Sequence, residues 1–185
     1  MKPMALFVAL ALALPASPSE GHLREAGLKY FTDIVLTDQD GKEVRLYSDL
    51  LAGRIVVINS FFATCSGSCP VMTGTFRKIQ STLGDRVGKD VQLISISVDP
   101  ETDTPAQLRK FAKEAGAHPG WRFITGDKTR VEQALHKLGL RTDIKENHSA
   151  IVLIGNEPKG VWKKAFGLAS SDDVVKLVQE VVSAQ

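Results

Sequence analysis

From residue 30 onward the apolar positions switch repeatedly between the strand period and the helix period. Residues 54–62 (RIVVINSFF) form an almost unbroken β-branched and aromatic run, the pattern of a strand covered on both faces. Residues 91–98 (VQLISISV) repeat it, and 121–125 give a shorter strand. Helical spacing fills the gaps. One helix spans 71–83 and ends at Gly84. A second opens at Thr104, with Pro105 in first position and Gln107 completing a capping box, and stops at Gly116. A third is opened by a capping box of Thr129 and Glu132 and stops at Gly139. Two short alternating runs in 31–46 flank Asp38-Gln39-Asp40-Gly41 and predict a hairpin. Residues 48–53 predict a short turn or helix. Residues 149–155 and 161–166 predict a second hairpin across 156–160, and 171–182 an amphipathic helix. Residues 20–29 are polar and are expected to be a flexible lead-in.

Strands that alternate with helices imply a parallel sheet, and the late hairpin adds an antiparallel edge. The succession hairpin, β, α, β, α, β, α, β, β, α resembles a thioredoxin-like α/β fold. That is a three-layer sandwich with a central mixed sheet, here with an N-terminal β-hairpin extension and an inserted helix–strand segment. One domain over 30–185 accommodates all of it, with no internal repeat.

Residues 1–19 read differently. Lys2 precedes the apolar run Met4–Leu14, and Pro15-Ala16-Ser17-Pro18-Ser19 offers small residues for cleavage. A bilayer needs about 20 apolar residues, more than this run holds. A cleaved signal peptide and export to a periplasm are expected; an uncleaved anchor facing the periplasm is the alternative. Over the whole chain, 23 basic residues against 21 acidic ones give a net charge of +2, which leaves no electrostatic footprint for nucleic acid.

Only two cysteines occur, Cys65 and Cys69, within Thr64-Cys65-Ser66-Gly67-Ser68-Cys69-Pro70 at a strand-to-helix junction. Amide groups and the positive end of a helix dipole at such a junction favour thiolate over thiol. If both lie near the helix start, the four-residue spacing puts them on one face with Cα atoms about 6 Å apart, within disulfide range. The same pair could grip one metal ion, form a plain structural disulfide, or pack as inert small hydrophobes. So short a loop restrains little of the unfolded chain, which disfavours the structural disulfide.

Of the four histidines, His22, His118 and His136 fall in the polar lead-in, a loop and an exposed helix position. His148 directly precedes the strand at 149–155. In a thioredoxin-like sandwich that loop faces the cysteines and usually carries a cis-proline, yet this chain has no proline between Pro119 and Pro158. The alternative for His148 is a capping or turn role. Two thiolates and one imidazole are a soft, three-ligand set. Structural zinc prefers four ligands, whereas thiolates select Cu(I) and a Cys2His set also tolerates Cu(II).

Three segments in order, Cys65–Pro70, Ser95–Pro105 (SISVDPETDTP) and His148-Ser149, make the chain similar to the Sco/SenC family of copper chaperones. That resemblance covers most of 30–182. It implies a metallochaperone rather than an enzyme, binding one copper through Cys65, Cys69 and His148. It implies service to the dinuclear copper site of cytochrome c oxidase, by donating copper, by reducing that site's cysteines through the redox pair Cys65 and Cys69, or both. Partners would be the copper-site subunit of the oxidase or another copper-receiving protein, with an upstream copper donor or thiol reductant; a monomer is expected. The chain departs from the family in carrying Ser66 where a proline is common and Asn147 where an aspartate is common. Its apolar leader is also shorter than the usual anchor.

A thiol–disulfide oxidoreductase needing no metal is the competing expectation, since it would use the same cysteines and tolerate loss of His148. A peroxidase is disfavoured because no Pro-x-x-x-Thr-x-x-Cys run precedes either cysteine. Asp99 has two readings, a turn starter in Asp-Pro or a group that tunes the cysteines.

Overall fold

The computed structural model describes residues 20–65, 67, 69–141 and 150–183. Residues 1–19, where a signal peptide is expected, and the segment 142–149, with His148, lie outside the described residues. Seven strands form one mixed sheet: β1 Val35–Asp38, β2 Glu43–Arg45, β3 Ile55–Phe61, β4 Val91–Ser97, β5 Trp121–Thr125, β6 Ile151–Asn156 and β7 Val161–Phe166. Their order is β2-β1-β5-β4-β3-β6-β7. The expected parallel centre is present, β3 with β4 and β4 with β5. Antiparallel pairs finish both sides, β1 with β2 and β5, and β6 with β3 and β7.

Helices α1 Glu20–Phe31, α2 Cys69–Leu83, α3 Pro105–Glu114, α4 Lys128–Leu138 and α5 Ser171–Ser183 make the outer layers. Alternation along β3 assigns them. Val56 and Ile58 face α1, α4 and a π-helical turn Leu46–Leu51, whereas Val57 and Phe61 face α2, α3 and α5. All seven residues of β3 and of β4 are buried, as expected of strands covered on both sides.

Several local expectations are corrected. Residues 20–29 are not an unstructured lead-in but most of α1. Leu23, Gly27 and Phe31 recur at four-residue intervals on one face, and Phe31 packs its ring 5.0 Å from Trp162 and 6.4 Å from Tyr47. Gly27 permits that docking, since a Cβ there would stand 2.6 Å from the Tyr47 ring. α4 is capped by Asp127, whose side chain accepts from the Arg130 N–H at 3.1 Å, and not by Thr129. Thr104 does cap α3, accepting from the Gln107 N–H.

Tyr47 fastens the turn Leu46–Leu51 to the second hairpin. Its hydroxyl donates to Glu157 Oε1 at 2.6 Å, and the Gly53 N–H donates to Oε2 at 2.6 Å. Burial, then the hydrogen bond and charge of Glu157, push the Tyr47 hydroxyl well above the usual phenol range. Tyr47→Phe is expected to cost about 1–3 kcal/mol in chemical denaturation, because a buried carboxylate loses a partner.

Candidate functional site

β3 ends at Phe61, and the chain turns tightly, the Cys65 N–H donating to the Phe62 carbonyl at 3.1 Å. α2 then begins at Cys69 itself, two residues earlier than the sequence predicts. Cys65 is therefore not helical, and the two cysteines do not share one helix face. Both cysteines are free, and the Cys69 thiol is hydrogen-bonded to Cys65. Cys65 is half-buried; Cys69 is 2% exposed.

The electrostatics correct a second expectation. Although Cys69 opens a helix, burial pushes its thiol up to about 12. The hydrogen bond and charge of Cys65 and the charge of Asp103 act in the same direction, and the Phe62 amide opposes them. Cys69 is thus held as a thiol until something replaces its proton. Beside the pair opens a cavity of about 240 Å³, walled by Pro70, Thr73, Arg77, Phe111, Glu114 and Ala115. Arg77 fixes the far wall, donating to the Ala115 carbonyl at 2.7 Å and the Glu114 carbonyl at 3.1 Å at the end of α3.

Asp103 is the residue that sequence reasoning missed. It is 1% exposed and lies close enough to Cys69 for its charge to raise that thiol. Its carboxylate accepts from Ser97 Oγ at 2.6 Å and from the Ala63 N–H at 3.1 Å. It therefore ties the end of β4 to the turn that carries Cys65. A signal was available: alternation along β4 puts Ser95 and Ser97 on the same inward face as Leu93, where serines need buried partners. Asp99 occupies the turn instead. Its carbonyl accepts from the N–H groups of Thr102 at 3.0 Å and Asp103 at 2.9 Å, and its own N–H donates to Ser97 Oγ.

His22, His118 and His136 are exposed, and none of them lines the cavity beside the cysteines. Among the described residues no group of three or more His, Cys, Asp or Glu side chains is placed to hold a metal. What the described residues supply is a sulfur pair, which fits a soft, thiophilic ion.

A dithiol seated where a central parallel strand meets a helix, with an antiparallel hairpin and a helix closing the sheet, defines a thiol protein of thioredoxin-like fold. The SCO1/SenC family model matches residues 26–183, and the chain belongs to that family. It is 33% identical over 153 residues to the SCO1 protein homolog of Bacillus subtilis, covering 77% of each chain. Among solved structures it is similar to BsSco, a Sco family member described as a cytochrome c oxidase assembly protein with a disulfide switch. The TM-score is 0.66 and the identity 30%, over 82% of this chain and 92% of that one. It is also similar to yeast Sco1 with copper bound, at a TM-score of 0.60 and 25% identity, over 82% and 93% of the two chains.

Proposed function

We propose that this protein is an exported metallochaperone that carries one copper ion on Cys65, Cys69 and His148 and delivers it to the dinuclear copper site of cytochrome c oxidase. The observation that carries the reading is the hydrogen-bonded sulfur pair at the mouth of a surface cavity. Ala150 supports the third ligand. Its carbonyl accepts from the Gly167 N–H, and a Cβ at Gly167 would strike Met72 Sδ at 1.9 Å. The chain two residues past His148 is thereby held against the helix that Cys69 opens.

Copper is cargo here. Uptake displaces the thiol protons, and handover proceeds by exchange of these sulfurs for cysteines on the acceptor. Because burial pushes the Cys69 thiol far above neutral pH, binding copper there must displace its proton, and apparent copper affinity is expected to rise about ten-fold per pH unit over pH 6–8 for that proton alone. A competition titration with a chelator at several pH values checks this. A flat profile would mean that Cys69 binds no copper as thiolate.

The same thiols favour a second reading, reduction of a partner disulfide. Half-buried Cys65 would attack as thiolate, and Cys69 would then resolve the mixed disulfide, leaving Cys65–Cys69 oxidised and the partner with two thiols. Mixing the copper-loaded protein with a reduced acceptor domain, and the metal-free protein with the oxidised acceptor, separates the two. Copper transfer without Cys65–Cys69 disulfide formation supports the chaperone. Rapid reduction of the acceptor by a protein that binds copper weakly supports the reductase.

A further inference from the structure

On the face of the sheet opposite the cysteines, α1, the end of α4 and the β6–β7 hairpin enclose a second cavity of about 380 Å³. Its size falls in the range of small-molecule sites, about 300–1,000 Å³. The walls are apolar, formed chiefly by Leu23, Phe31, Leu138, Leu153 and Trp162. At its rim stand two ammonium groups. Lys137 Nζ lies 5.6 Å from the centroid of the Tyr30 ring, and Lys164 Nζ donates to the Gly139 carbonyl at 3.1 Å. Neither lysine is paired with a carboxylate among the described residues. The one carboxylate in the lining, Glu157, has each oxygen engaged by Tyr47 or Gly53. Lys164 thereby covers the Gly139 carbonyl at the C-cap of α4, which would otherwise repel an anion.

An apolar cavity with two cations at its mouth selects an amphiphile with one apolar chain and one anionic head. We propose that this cavity binds a free medium-chain fatty carboxylate, with its chain along Phe31, Leu153 and Trp162 and its carboxylate between Lys137 and Lys164. The site is independent of the copper reading, because Cys65 and Cys69 belong to the other face.

Decanoate, kept below its micelle threshold, is the test ligand, and Trp162 fluorescence in the reduced protein is the readout. Saturable quenching or enhancement is expected. Octanoate, two methylenes shorter, should bind about 15-fold more weakly. A Lys137→Ala/Lys164→Ala variant should weaken decanoate about five- to ten-fold and leave decanol unaffected. Ala26→Phe, placed on an exposed face of α1 at the cavity wall, should abolish the signal while copper uptake persists. The proposal is overturned if no saturable change occurs, if decanol binds as tightly as decanoate, or if Ala26→Phe binds normally. A signal seen only with decanoate embedded in phosphatidylcholine vesicles would locate the chemistry at a lipid surface and overturn it equally.

Discussion

Cys69→Ser is expected to lower copper affinity by about three orders of magnitude, equivalent to about 4 kcal/mol. The substitution exchanges a soft, polarizable sulfur for a hard hydroxyl that stays protonated. Its effect on the fold should be small by comparison. The serine hydroxyl still occupies a buried position at the start of α2, and the Phe62 amide keeps an acceptor. Anaerobic copper titration with denaturation of the same variant separates the two effects. A variant that unfolds with wild-type stability yet holds copper as tightly as the parent would remove Cys69 from the site. Cys65→Ser tests the partner sulfur in the same way, and its half-exposed position makes it the milder change for folding.

Asp103→Ala should be the most damaging polar substitution near the site, costing about 3 kcal/mol of stability. It strands the Ser97 hydroxyl and the Ala63 N–H, both directed at a carboxylate only 1% exposed. Domains are stable by about 5–15 kcal/mol, so such a loss is a large fraction of the whole. Because Ala63 lies in the turn that presents Cys65, copper affinity should fall as well. Asp103→Asn keeps one acceptor oxygen and should lose about 1 kcal/mol. Urea denaturation of the reduced protein measures both. An Asp103→Ala protein as stable as the parent would show that this carboxylate does not hold the turn.

Legibility in the sequence followed the physics of burial. β3, β4 and β5 could be read because strands covered on both faces leave nearly continuous apolar runs, and the helices at Thr104 and Ser171 because a cap or a valine stripe is local. α1 could not: Leu23, Gly27 and Phe31 are its only described positions that are not exposed, and the glycine is there for Tyr47, which arrives from elsewhere in the chain. Thr129 and Asp127 are rival caps two residues apart, and local pattern alone does not choose between them. The cysteine pair was legible from spacing. The state of Cys69 was not, since its thiol is set by burial and by a carboxylate 34 positions downstream. For the same reason Asp99 stands out in the sequence by its turn motif, whereas Asp103 does not, because its partners Ala63 and Ser97 are brought together only by the sheet.

The proposed copper site has three ligands, of which His148 is the third. Anaerobic titration of the reduced protein with Cu(I), wild type beside His148→Ala, tests for it. One tight equivalent in the wild type, weakened about a hundred-fold in the variant, about 2.7 kcal/mol, is the expected result. Equal affinity in the two proteins, or no tight equivalent in either, would contradict it.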